Sequence, residues 1–331
     1  MEIKAAEVAK LRQMTGAGMM DCKKALVEAE GDFERAKEII REKGKLVAAK
    51  RADRETTEGA VMARVNGSKA ILVCLGCETD FVSKNAEFQA LANAIADAAI
   101  ASFPSDIQAL NACVIADGRT VEAAITEQTG KTGEKHVLVA YETVEAPFIA
   151  QYIHKINGKL GSLVGFSKEV SEDVAKGIAM QVASMNPVAV SAESVPQTVI
   201  DNELKTATEK TKEELVKKAV DAALTKAGIN PAHVDSEAHI ESNQAKGWIT
   251  AEQAQQAREI IKTVSEEKAA NLPEQMVANI AKGRLQKFFK EQTLEEQGYQ
   301  MGDGKTPVKD VLKAADKEAK ILSFKRISLA D

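Results

Sequence analysis

The sequence predicts an α+β fold built from several modules, on three observations. Residues 3 to about 52 carry apolar side chains at helical spacing in three short runs. Two β-rich runs around an Asn-Gly pair occur twice, 91 positions apart, each followed by a helical run. Beyond Pro196 the chain becomes long, charged and helical. At 331 residues it is too long for one typical core and suits two or three domains. The expected division is a three-helix module over 1–52, one core subdomain over 53–140 and a second over 141–331. The second carries a helical arm inserted at about 203–272.

In the first module, Val8 and Leu11 share a helix face, and Thr15-Gly16-Ala17-Gly18 stops that helix, because glycine readily takes the left-handed conformation that closes a helical end. A second helix is expected over Met19–Ala29, where Met19, Cys22, Ala25, Leu26 and Ala29 recur at helical spacing, with Met19 in the core. Gly31 ends it. Asp32 is placed to cap a third helix, whose stripe is Phe33, Ala36, Ile39 and Ile40. The basic and polar run Lys50–Glu55 reads as a linker.

From Gly59, two strand-like runs flank Asn66-Gly67, a hairpin signal that allows a loop longer than two residues. A helix is expected over about Ala86–Ala101, with Phe88, Leu91, Ala92, Ile95 and Ala99 on one face. The order recurs with Phe148–His154, the turn Asn157-Gly158, Ser162–Phe166 and a helix over about Ser171–Met185. Leu72-Val73 superpose on Leu163-Val164 at the 91-residue offset, which reads as a duplicated α+β unit. His136–Tyr141 is a further strand between the copies. In the arm, narrow seams run through Leu215, Val216, Ala219, Val220, Ala223 and Leu224, then through Ala254, Ala257, Ile260, Ile261 and Val264. Another follows Pro273 through Met276, Ile280, Phe288 and Phe289, and Ile321–Ile327 reads as a last strand returning to the sheet.

Composition narrows the function. With 44 basic against 49 acidic residues and a net charge of -5, no long basic run is available to release phosphate counterions, so direct nucleic-acid binding is not expected. No stretch has the apolar length of a membrane span, and Met1-Glu2-Ile3-Lys4 opens a charged helical pattern, so a cytoplasmic protein with no membrane partner is expected. Four cysteines are too few for a disulfide framework in a chain of this size. Cys74-Leu75-Gly76-Cys77 has a redox or half-zinc spacing, but no second pair supplies two more ligands and the pair sits at a strand end, not at a helix start; Cys74 reads as a small core residue.

Two segments, Thr15–Leu26 (Thr-Gly-Ala-Gly-Met-Met-Asp-Cys-Lys-Lys-Ala-Leu) and Glu78-Thr79-Asp80-Phe81-Val82, resemble signature segments of the elongation factor Ts family, in that family's order and separation. Weaker similarity runs through His154–Gly161, Ile178–Met180 and Gly283–Phe289 to the end. The stretch from about Thr206 to Ala270 departs from the family pattern by its length. The resemblance implies an amino-terminal module similar to ubiquitin-associated domains, a two-subdomain core and a protruding, coiled-coil-like helical arm. It also implies a guanine-nucleotide exchange factor that binds elongation factor Tu, GDP-bound and nucleotide-free, without a cofactor, metal or catalytic residue of its own. In this family the turn matching Thr79, Asp80, Phe81 and Val82 is implicated in disturbing the partner's bound magnesium ion; Met20, Lys23, Lys24 and His154 are further candidates for the partner surface.

The residue types suit that task. An exchange factor must bind a partner conformation whose phosphate cradle is displaced, so that binding energy offsets lost nucleotide contacts. A phenyl ring wedged into an apolar pocket supplies energy of the required order, and a neighbouring carboxylate redirects hydrogen bonds or repels phosphate. The plainer alternatives are that Asp80 caps the following helix and Phe81 is core, that Lys23 and Lys24 form a solvated face, and that His154 is packed on a strand. The rival functions are a non-catalytic adaptor using the amino-terminal module and a thiol oxidoreductase using Cys74 and Cys77.

Overall fold

The computed structural model describes residues 3–156 and 158–329. Asn157 of the expected second turn, and Met1 and Glu2 of the expected charged amino terminus, lie outside them. The chain forms two compact units: one holds the chain up to Val190 and from Gln297 onward, the other is Ser191–Glu296.

The first unit opens with α1 (Ala5–Thr15), α2 (Met19–Glu28) and α3 (Phe33–Lys50). Gly16 closes α1 at φ 68° with its N–H on the Arg12 carbonyl, and the Asp32 carboxylate caps α3 by accepting from Glu34 N at 2.8 Å and Arg35 N at 3.1 Å. Val8, Leu11, Cys22, Ala25, Leu26 and Ala36 form the core of the three helices. Met19 departs from expectation: it is 41% exposed, and Cys22 one turn later takes the core position.

Two antiparallel sheets follow the duplication. β1 (Glu58–Asn66), β2 (Lys69–Cys77) and β3 (Val137–Glu145) form one sheet in that order; β4 (Phe148–Ile153), β5 (Leu160–Phe166) and β6 (Ile321–Ser328) form the other. Asn66 pairs with Lys69, so the first loop is only Gly67-Ser68, with Gly67 at φ 59° and Asn66 still in the strand. Gly at the first loop position is the signature of a type II′ turn, which accounts for the tight hairpin. The duplication reaches the irregularities: the β2–β3 register shifts between Cys74 and Leu75, and the β5–β6 register shifts between Gly165 and Phe166, again 91 positions on. The boundary expected at 140/141 falls inside β3, so the first sheet extends to Glu145.

β2 reads as an unbroken apolar run because both its faces are buried. Ile71, Val73 and Leu75 face α5 (Ala86–Ser102, after a short α4 at Asp80–Ser83), meeting Phe88, Leu91, Ile95 and Ala99. Ala70, Leu72 and Cys74 face the second sheet, meeting Ile149, Leu163 and Ile327. Two further helices, α6 (Ile107–Ala112) and α7 (Val121–Thr132), bridge to β3 and have no counterpart in the sequence reading. In the second copy α8 (Glu172–Met185) packs on β4 and β5.

The second unit enters the chain between α8 and β6 and is wider than the arm expected at about 203–272. It contains α9 (Gln197–Lys226), α10 (Glu237–Ala245), α11 (Ala251–Ala270) and α12 (Glu274–Gln292). α9 packs against both α11 and α12. Val220 and Leu224 join Ala254 and Ala257 in its core, as the seams predict, together with Ile240, which no seam contained. On α12 the buried positions are Val277 and Ala281; Met276 and Ile280, expected there, are exposed one position off the seam. A last helix, α13 (Val308–Ala315), precedes β6 in the first unit. Among the described residues no helix is long and apolar enough to cross a membrane.

Candidate functional site

The two copies of the core differ where a site would be built. β2 and β5 start 91 positions apart, at Lys69 and Leu160, whereas α5 and α8 start only 86 apart, at Ala86 and Glu172. Counted from strand start to helix start the first copy is therefore five residues longer, and its longer connection holds α4, a single turn of helix. Thr79, not Asp80, is its N-cap, so the capping alternative for Asp80 is set aside.

Successive side chains of a helix point about 100° apart, so the faces of a one-turn helix are settled by which residues find a core. Val82 packs against the α5 cluster and Ser83 is buried. Phe81 is thereby turned outward and is 84% exposed, which rules out the core alternative. Leaving a phenyl ring exposed forgoes about 1.5–3 kcal/mol of burial energy. Asp80 stays at the surface with Lys84 Nζ 2.7 Å from its carboxylate, and this hydrogen bond first of all holds the Asp80 carboxyl below its ordinary value.

The turn is held from behind by residues distant in sequence. Thr79 N donates to Glu134 Oε2 at 3.1 Å and Thr79 Oγ1 to Glu134 Oε1 at 2.7 Å. Cys77 Sγ donates to the Thr79 carbonyl at 3.3 Å. Glu78 takes both carboxylate oxygens to Arg51 Nη1, at 3.0 and 2.9 Å, and accepts from Lys135 N at 2.7 Å. Lys135 Nζ in turn donates to the Ala52 and Arg54 carbonyls, so the expected linker after α3 is pinned to the core. Burial alone would raise the Glu78 carboxyl, but the Lys135 N–H and the Arg51 guanidinium outweigh it and hold Glu78 below its ordinary value. Sequence reasoning singled out Thr79–Val82 as a candidate but gave no sign of Glu134, Lys135 and Arg51 behind it. Pairs 55 and 57 residues apart leave no periodic trace.

The other candidates occupy different elements. Met20, 64% exposed, and the exposed Lys23 and Lys24 lie on α2, next to the exposed Met19 and Val27. His154 lies just past the end of β4 rather than on the strand, half-buried, with its ring edge-on to Tyr152 at 6.4 Å. Cys74 and Cys77 belong to the clusters on opposite faces of the first sheet. Burial pushes both thiols up to about 12, which leaves them protonated and the redox spacing without a redox site.

Known proteins match the chain almost end to end. The family model described as "Elongation factor TS" matches residues 78–227 and 217–331. Proteins named "Elongation factor Ts" from Phocaeicola vulgatus and Bacteroides fragilis are each 54% identical over 329 residues, covering 99% of this chain and 99% of their own. One of the same name from Christiangramia forsetii is 41% identical over 332 residues with the same coverage. Because both chains are covered to 99%, the length of Thr206–Ala270 is shared with these relatives and is not peculiar to this sequence. With relatives this similar over its whole length and a family model over most of it, the chain belongs to the elongation factor Ts family of translation elongation factors.

Proposed function

We propose that the chain is a guanine-nucleotide exchange factor that acts by binding and has no active site of its own. It binds GDP-bound elongation factor Tu, disturbs the partner's magnesium and phosphate site, and promotes GDP release so that GTP can enter. The observation that carries this reading is Phe81: a large apolar ring, 84% exposed, on a turn inserted into one copy of a duplicated unit. Inserted into an apolar pocket of the partner, such a ring recovers the burial energy it lacks in the free chain. Asp80 beside it brings a carboxylate to the same place, where it competes for metal ligands or repels phosphate. Val82 and Thr79 hold the turn from the core side.

In this reading the amino-terminal module at 1–52 contributes a docking surface through Met20, Lys23 and Lys24. The core subdomains at 53–140 and 141–331 carry the turn and His154, and the arm at about 203–272 is an accessory to binding. The setting is cytoplasmic, and the partner is a protein in its GDP-bound and nucleotide-free states, with neither nucleic acid nor membrane contacted directly. The experiment is release of fluorescently labelled GDP from elongation factor Tu after rapid mixing with the chain. A rate that rises with chain concentration and saturates is expected; a rate unchanged from spontaneous release would refute the proposal.

A further inference from the structure

A one-turn helix is poorly held by its own bonds, because nearly all its backbone groups are terminal ones. The direction in which Phe81 points therefore depends on what grips α4 from outside: Val82 packs on the core, Gln89 Nε2 donates to the Ser83 carbonyl at 2.6 Å, and one carboxylate holds the N-cap by two bonds. Glu134 takes the Thr79 N–H on one oxygen and the Thr79 hydroxyl proton on the other. With its proton committed to Glu134, the Thr79 hydroxyl oxygen presents lone pairs to the Val82 N–H, 3.5 Å away, which it caps. Glu134 is itself anchored. It follows Gly133, which closes α7 at φ 72°; its own N–H donates to Thr132 Oγ1 at 3.1 Å; and its neighbour Lys135 is tied to Glu78.

We propose that Glu134 is a positioning residue for nucleotide exchange: its carboxylate orients Thr79 so that α4 presents Phe81 and Asp80 in the one direction that enters the partner's site. Glu134 acts through Thr79, which stands between its carboxylate and the presented turn. The role rests on the exchange reading above. Charge-assisted bonds to both hydrogen-bond donors of one residue fix orientation more strongly than neutral ones. A turn ordered before docking spares the partner the cost of ordering it.

The test uses the full chain with Glu134→Ala and Glu134→Gln, each alone and combined with Phe81→Ala. Release of labelled GDP from elongation factor Tu is followed over a range of chain concentrations, and amide hydrogen exchange is followed over residues 79–85 of the free chain. Glu134→Ala is expected to lower the maximal release rate about tenfold, the effect of losing one charge-assisted pair, while the half-saturating concentration moves about twofold or less. Glu134→Gln, which keeps one acceptor oxygen and the same shape, falls between Glu134→Ala and the wild type. In the Phe81→Ala background Glu134→Ala adds no more than the smaller loss that Asp80→Ala gives by itself, because the ring that both changes withdraw is already gone. Amides of the α4 turn exchange faster in Glu134→Ala. A purely structural staple predicts otherwise: fewer active molecules with an unchanged maximal rate per active molecule. That result, or a full further tenfold loss on top of Phe81→Ala, overturns the proposal. Where Glu134→Ala does not fold, Glu134→Gln carries the same comparison. No stimulated release by the wild type defeats the exchange reading, whereas unchanged amide exchange in the variants defeats the positioning role by itself.

Discussion

Gly130 of α7 lies so close to Gly44 of α3 that a Cβ on Gly130 would stand 2.8 Å from the Gly44 Cα. The contact is asymmetric: a Cβ on Gly44 meets only the Thr126 carbonyl at 3.4 Å and Gly130 at 3.6 Å, which is ordinary packing. This is where the amino-terminal helices rest on the first core subdomain, and backbone atoms cannot swing aside as a side chain does. Gly130→Ala should cost about 1–3 kcal/mol by overpacking. Gly44→Ala should be neutral or stabilise by up to about 1 kcal/mol through helix propensity. Denaturant unfolding of the two variants checks this; equal effects would show that the helices do not meet as described.

The pH dependence of stability should carry the mark of Glu78. Its folded value lies below the ordinary 4.5, so its contribution is fully present above that value and is lost as pH falls below it, when the folded chain must take up a proton against Arg51 and Lys135. Glu78→Gln should flatten the acid limb of a stability-against-pH curve below about 4.5 relative to the wild type. A variant curve parallel to the wild type through that range would contradict the assignment.

Much of the fold was legible because its signals are local. Gly16 and Asp32 mark helix ends by their own backbone and side-chain chemistry, and the 91-residue offset between Leu72 and Leu163 exposes the duplication without any contact information. α7 was not legible: Gly130, Thr126 and Thr129 disfavour a helix, and the helix forms because α3 and α5 pack on it. Met19 was misplaced because helical spacing identifies a face without saying how wide it is; Cys22, Ala25 and Leu26 already fill the small core. Of the candidate site, the turn itself could be read from Thr79-Asp80-Phe81-Val82. Glu134 and Arg51 could not, since only the folded chain brings them to Thr79 and Glu78.

The thiols should be silent in the native state. Burial raises both Cys74 and Cys77 to about 12, and Cys22 is buried, while Cys113 is partly accessible. At pH 8 a thiol reagent should modify about one cysteine of the folded chain and all four after denaturation. Because the folded values lie above the ordinary 9.0, these two groups favour the folded state below that pH and lose the contribution as pH rises toward 12. Rapid native modification of Cys74 and Cys77, or a disulfide between them on mild oxidation, would contradict their placement on opposite sheet faces.

If the Phe81 ring serves the partner and not the fold, Phe81→Ala measured for stability and exchange on one preparation should separate the two properties. Because the ring is 84% exposed, the melting temperature should change little, as for an ordinary surface substitution of about 0.5 kcal/mol or less. Stimulated GDP release from elongation factor Tu should slow by roughly thirtyfold or more, the equivalent of losing an aromatic anchor of ~2 kcal/mol. Asp80→Ala should slow it less, since Asp80 pairs with Lys84 in solvent. The account is contradicted by a Phe81→Ala chain that binds the partner and releases GDP as fast as the wild type, for then the chain docks without using its exposed ring.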